Sequence, residues 1–204
     1  NINTPVIEGT AEAGSTVELL NGSNVLGSVI AGNDGNFSIT SSVLVDANYT
    51  LTVRATDLAG NTSVESVGLP IEIDTTAPNA PLITTTTALT NINTPVIEGT
   101  AEAGSTVELF NGSDSLGTAT VDINGNYLFD SYVSLINTTG KLSDGNYHLT
   151  ARSTDPAGNI SSPSQGLSIV IDTTAPGQPI IATTTSLTNN LSLIHISEPT
   201  RPLI

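Results

Sequence analysis

The chain contains no cysteine, no methionine and no tryptophan, and aromatic residues make up only 3 % of it. Without cysteine there is neither a disulfide framework nor thiol chemistry. Without large aromatics, any core must be built from Val, Ile, Leu and Ala with a few Tyr and Phe, which suits small sandwiches. Positive charge is equally scarce. Four Lys and Arg stand against 19 Asp and Glu, a formal charge of −15. A surface of that sign repels phosphate backbones and anionic bilayers, which argues against nucleic acid as a partner. Apolar runs long enough to span a bilayer are also missing, so no membrane insertion is expected of this stretch.

Thr, Ser, Asn, Gly and Val dominate instead, and these residues favour strands and turns over helices. The strongest signal is internal repetition. Residues 1–20, NINTPVIEGTAEAGSTVELL, recur at 91–110 with one change, Leu20 to Phe110. The offset of 90 holds through Gly35-Asn36-Phe37 and Gly125-Asn126-Tyr127. It becomes 98 where Asp46-Ala47-Asn48-Tyr49 matches Asp144-Gly145-Asn146-Tyr147. An eight-residue insertion near 131–143 accounts for the difference, and such insertions sit in surface loops. IEIDTTAPNAP at 71–81 then matches IVIDTTAPGQP at 169–179.

A unit of this length is too long for a solenoid coil and fits a separately folded domain. Within each unit, short alternating segments are separated by turn dipeptides, Asn21-Gly22 and Asp34-Gly35 in the first, Asn111-Gly112 and Asn124-Gly125 in the second. YTLTVRAT (49–56) places Tyr49, Leu51, Val53 and Ala55 on one face. No segment has helical periodicity. Six or seven short strands per unit predict an all-β fold of tandem immunoglobulin-like β-sandwiches. The expected divisions are 1–78, truncated at its start because Asn1 falls inside a repeat, 79–176, and the opening of a third repeat at 177–190.

The motifs GTAEAGSTVEL, GNF or GNY, DxNYxLTxRxTDxAGN and DTTAP occur twice, in order, over nearly all of residues 1–190. In this the chain resembles the bacterial Ig-like domains repeated in large surface adhesins of the type I-secreted, RTX kind. The resemblance implies a structural stalk on the bacterial cell surface or in a secreted protein. Neighbouring Ig-like repeats would be its partners, and distal domains would reach an unknown surface ligand. Two other readings are accessory arms of a secreted carbohydrate-active enzyme, and ligand binding through the 131–143 insertion with Tyr132 and Lys141. Residues 191–204, LSLIHISEPTRPLI, abandon the repeat register and resemble translated read-through of a transposase-based sequencing adapter. That tail, with His195, Glu198 and Arg201, is expected to be non-native.

No catalytic constellation is expected. His148, the one histidine outside the tail, lies on an alternating strand and faces solvent, and the abundant Ser and Thr have no accompanying base. Glu8 and Glu12 recur as Glu98 and Glu102, as structural repetition requires. Calcium is the cofactor to consider, because it takes six to eight carboxylate and carbonyl oxygens. Glu12, Asp46 and Asp74 are expected to meet Asp155 and Asn159 at the junction of the two units. Glu102, Asp144 and Asp172 form the equivalent set toward a third repeat, and Asp57 and Asn61 face a preceding one. The competing reading is that these residues only shape turns. The linker prolines Pro78, Pro81, Pro176 and Pro179 point to a semi-rigid spacer.

Overall fold

The computed structural model describes residues 1–130 and 141–181. Residues 131–140 of the 131–143 insertion, Tyr132 among them, the remainder of the third-repeat opening and the 191–204 tail lie outside the described residues. Residues Asn1–Thr173 form one compact unit, and a second begins at Thr174. Over Thr174–Ile181 the second unit has no regular secondary structure.

Every regular element among the described residues is a strand. The all-β fold expected from the alternation is what the chain adopts. In the first sandwich, β1 (Val6–Thr10) pairs antiparallel with β4 (Asn36–Thr40). The facing sheet has the order β3-β2-β5-β6, formed by β2 (Thr16–Asn21), β3 (Asn24–Ile30), β5 (Ala47–Thr56) and β6 (Leu69–Ile73). Period-2 patterning explains the layers. In β4, Phe37 and Ile39 point inward while Asn36, Ser38 and Thr40 stay exposed. Val17, Leu19, Ala31, Phe37, Ile39 and Leu51 form the core, with Tyr49, Val53 and Ala55 packed partly buried against it. Each fully buried Leu or Val contributes roughly 1.5–3 kcal/mol relative to exposure. The β2–β3 hairpin turns at Gly22-Ser23, with Gly22 at φ 57° and no left-handed residue after it. Gly at the first central position is the II′ arrangement, whereas an Asn-Gly pair across both central positions would have given I′.

The second sandwich repeats this plan and adds two strands taken from the linker. Its strands are β7 (Leu82–Ile83), β8 (Leu89–Thr90), β9 (Ile97–Thr100), β10 (Thr106–Asn111), β11 (Asp114–Thr120), β12 (Asn126–Phe129), β13 (Gly145–Thr154) and β14 (Leu167–Ile171). One sheet runs β12-β9-β7 and the other β11-β10-β13-β14-β8, with β8 parallel to β14. The stretch between the two sandwiches is thus split between both sheets of the second. Its cover has consequences for the core. Ile97 is fully buried, whereas its counterpart Ile7 is only partly so. Tyr127 meets Phe129 edge-on at 5.7 Å, and its hydroxyl donates to the Leu82 carbonyl at 3.1 Å.

Tyr49 and Tyr147 bond back to the chain as a tyrosine corner does, donating to the Val45 and Ser143 carbonyls, each at 2.9 Å. Their rings are half-buried. Each sits at the first turn of its strand, where the sandwich end is open to solvent.

Candidate functional site

The region that gathers most of the singled-out residues is the junction where the 74–81 linker leaves the first sandwich and meets the second. It begins with turn chemistry. In TDPAGN, the Asp155 carboxylate accepts from the Asn159 backbone amide and the Asn159 side-chain amide, both at 2.8 Å, and Gly158 turns the chain at φ 88°. Burial pushes the Asp155 carboxyl up, but the Asn159 side chain and the amides of Asn159, Gly158 and Ala157 outweigh it and hold the group below the ordinary carboxylate value. Asp57 and Asn61 build the same turn in the first sandwich, with bonds of 2.8 Å and 2.7 Å.

In the second sandwich this turn does more. The Asn159 side-chain amide also donates to the Asp74 carbonyl at 3.1 Å, and the Ser153 hydroxyl donates to the Asn79 carbonyl at 3.3 Å. The turn therefore clasps the linker. Asp155 and Asn159 are 6 % and 5 % exposed. From the first-sandwich side, Asp46 accepts from the Thr75 amide at 3.0 Å and from the hydroxyls of Thr75 and Thr76 at 2.8 and 2.7 Å. Those hydroxyls, Thr76 first, lower the Asp46 pKa. Asp74 accepts from the Thr76 amide at 2.9 Å. Asp144 repeats the pin on Thr173.

The structure brings Asp46, Asp74, Asp155 and Asn159 to this linker. It does not bring Glu12. Strand β2 begins opposite the end of β5, with Thr16 facing Thr56, so the 11–15 turn lies beside the Asp57–Asn61 turn at the far end of the first sandwich. By the same register, Thr106 faces Thr154, and it is the turn of Glu102 that neighbours Asp155. The expected grouping failed because the antiparallel pairing of these two strands fixes the end at which that turn emerges. For the same reason Glu102 stands apart from Asp144 and Asp172. Glu12 and Glu102 are exposed. Among the described residues, no three His, Asp or Glu side chains converge as metal ligands.

Sequence reasoning missed a serine ladder. Ser161 and Ser164 accept from the Ser153 and Ala151 amides at 2.9 Å each, satisfying the part of β13 that extends beyond β14. Ser63 and Ser66 do this for Ala55 and Val53 at 3.0 Å. The signal was present as a Ser-x-x-Ser spacing at the 98-residue offset. His148 is exposed, with Nδ1 3.3 Å from the Ser168 hydroxyl. Lys141 is exposed, while the rest of the loop proposed to bind ligand is outside the described residues.

A family model described as bacterial Ig-like domain matches residues 1–75 and again 83–173. Exoglucanase B of Cellulomonas fimi is 31 % identical over 149 residues, 64 % of this chain and 12 % of that protein. Chitinase A1 of Niallia circulans is 29 % identical over 167 residues, 77 % of this chain and 22 % of that protein. The chain thus spans less than a quarter of the curated relatives it matches. The fibronectin(III)-like modules of Clostridium thermocellum CbhA superpose with a TM-score of 0.50 at 14 % identity, over 81 % of this chain and 85 % of that one. That likeness concerns the fold.

Proposed function

Because this chain belongs to the bacterial Ig-like domain family, we propose that it is a non-catalytic spacer, the stalk of a bacterial cell-surface adhesin, working outside the cell. The observation that carries this reading is the clasp: Asn159 on the Asp74 carbonyl and Ser153 on the Asn79 carbonyl tie the linker to the second sandwich. A linker held by side chains at one end and by strand pairing along β7 and β8 resists bending better than a free tether. A spacer needs that property, since its task is to hold a distal domain at a fixed reach. A ten-residue strand spans roughly 33 Å, so each repeat adds a length of that order. Solution scattering of the full chain tests this. A spacer keeps its dimensions from low to high salt, whereas a hinged pair changes them.

The second reading places the same spacer as an accessory arm of a secreted carbohydrate-active enzyme. The likeness to an exoglucanase and a chitinase favours it. Sequencing the intact locus separates the two: a glycosidase neighbour indicates the arm, and a long array of these units indicates the stalk.

Calcium extends the first reading. The junction offers carboxylate and carbonyl oxygens of the kind calcium takes. Asp46 and Asp155 accept from several hydroxyls and amides with both carboxylate oxygens, whereas Asp74 accepts from the Thr76 amide through Oδ1, so a cation would be held chiefly by Asp74 and backbone carbonyls, with Glu102 in the adjacent turn. Calorimetric titration of the chain with calcium, repeated on Asp74→Ala, decides it.

A further inference from the structure

The larger sheets of the two sandwiches turn one face to the core and one to solvent, and their solvent faces differ in how the polar side chains are satisfied. In β5 of the first sandwich, Thr52, Arg54 and Thr56 alternate with the core-packed Val53 and Ala55, and each has a partner. The Thr52 hydroxyl donates to the Glu65 carboxylate at 2.8 Å. The Arg54 guanidinium meets the Glu18 carboxylate at 2.6 Å, and the Thr56 and Thr62 hydroxyls lie 3.2 Å apart. Leu20 on the same face is 2 % exposed. This face is closed on itself.

The second sandwich carries the same row on β13, as Thr150, Arg152 and Thr154, but the partners are gone. Pro163 stands where Glu65 does, so Thr150 has no carboxylate to bond. Ile160 stands where Thr62 does and offers Thr154 no hydroxyl. Ser115 stands where Val25 does, and its hydroxyl donates to Glu108, the residue opposite Arg152 in the β10–β13 pairing. Among the described residues, the side chains of Thr150, Arg152 and Thr154 make no hydrogen bond or ion pair.

An apolar rim accompanies the freed row. Phe110 replaces the buried Leu20 and stays partly exposed, with Ile160 and Pro163 exposed nearby. With the row they line a groove of about 570 Å³, all of it within this one sandwich. Alternate side chains on a strand stand roughly 7 Å apart, so hydroxyl, guanidinium and hydroxyl follow one another over roughly 13 Å. A guanidinium without a partner forks onto a planar carboxylate. Threonine hydroxyls both donate and accept, as the hydroxyls of a sugar do. The ring of Phe110 and the edge of Pro163 suit the C–H face of a pyranose. A net charge of −15 repels ligands with closely spaced negative charges and leaves those with one carboxylate on a neutral body.

We propose that the solvent face of the β10–β13 pair is a binding site for a short oligosaccharide carrying a single uronic acid. Arg152 holds the uronate carboxylate, Thr150 and Thr154 bond sugar hydroxyls on either side of it, and Phe110 supports a ring face. The first sandwich, whose row is already paired, does not bind. The two repeats thus share a fold and divide the work: both space, and the second also holds a ligand. This inference does not depend on which parent protein the spacer serves.

The test titrates the isotope-labelled full chain with xylotriose bearing one glucuronic acid, up to millimolar concentration. The amide resonances of Phe110, Thr150, Arg152 and Thr154 should move, and those of Leu20, Thr52, Arg54 and Thr56 should stay. Reducing the uronate carboxyl to an alcohol should weaken binding by roughly tenfold or more, the consequence of losing a charge-assisted hydrogen bond. Arg152→Gln should do the same from the protein side. Pro163→Glu, which restores the first sandwich's carboxylate, should also weaken binding, by engaging Thr150 and repelling the uronate. Both altered residues are exposed, and the reduced saccharide probes the same contact on the unaltered chain, so a misfolded variant cannot decide the outcome. Absence of shifts with the acidic saccharide overturns the proposal, as does equal binding of its alcohol form. A short peptide with one glutamate that binds this row more tightly than the saccharide overturns it too, since the face would then read peptide.

Discussion

Replacing Asn159 with Ala removes the side chain that joins the turn to the linker. Its amide group serves two acceptors at once, the Asp155 carboxylate at 2.8 Å and the Asp74 carbonyl at 3.1 Å. A hydrogen bond to a charged group contributes about 1.5–3 kcal/mol and one to a neutral carbonyl about 0.5–1.5 kcal/mol. Asn159 is 5 % exposed, so water does not readily replace the lost donor. The expected cost is therefore about 2–4 kcal/mol. Asn61→Ala is the internal control, because Asn61 makes the same bond to Asp57 at 2.7 Å but is exposed and holds no linker. Its cost should be about 1 kcal/mol or less, since solvent can satisfy the exposed carboxylate. Urea denaturation followed by far-UV circular dichroism gives both values, with a parallel two-transition fit if the sandwiches unfold separately. Equal costs at the two positions would refute the reasoning, because the clasp would then add nothing to the turn.

Tyr147→Phe and Tyr49→Phe should each destabilise by about 1 kcal/mol, one lost hydrogen bond at a half-buried ring, and an unchanged denaturation midpoint would count against the corner. The carboxyls of Asp34, Asp46, Asp57, Asp122 and Asp155 all titrate below the ordinary value in the folded chain. Their contribution is therefore complete above about pH 4 and is lost as the pH falls through the lowered values. Urea midpoints measured from pH 6 to pH 2 should fall across that window, and a midpoint that rises on acidification contradicts the assignment. Burial raises the Tyr127 hydroxyl to about 12, so the stability tied to its neutral form is present below about pH 10 and lost as the pH rises through 12. Ultraviolet titration should show one tyrosine ionising late, and Tyr127→Phe should abolish that late step. If calcium occupies the junction, millimolar calcium raises the melting temperature and Asp74→Ala removes the rise. A chelator-insensitive melting temperature retires the cation and leaves the clasp standing.

Much of the fold was legible because the chain states it twice. Alternation in NFSIT and in YTLTVRAT gives the strands and their inward faces. The repeated Gly-Asn and Asn-Gly steps give the turns, and the 90-to-98 change of offset locates the insertion. The site was legible only in part. Asp46, Asp74, Asp155 and Asn159 could be placed near the linker from the order of turns expected of an immunoglobulin-like sandwich. Glu12 could not, because its end of the sandwich depends on which strand β2 faces, a long-range pairing that no local pattern encodes. The serine ladder escaped notice because Ser is common here and its role depends on β13 outrunning β14.

The central claim is that the junction holds the two sandwiches in one orientation. Residual dipolar couplings of backbone amides in a weakly aligned sample test it most directly. Fitted separately, the amides of β1–β6 and of β9–β14 should return one and the same alignment tensor, and Asn159→Ala should split it into two. Two tensors of different magnitude in the unaltered chain would contradict the account, since the linker would then be a hinge.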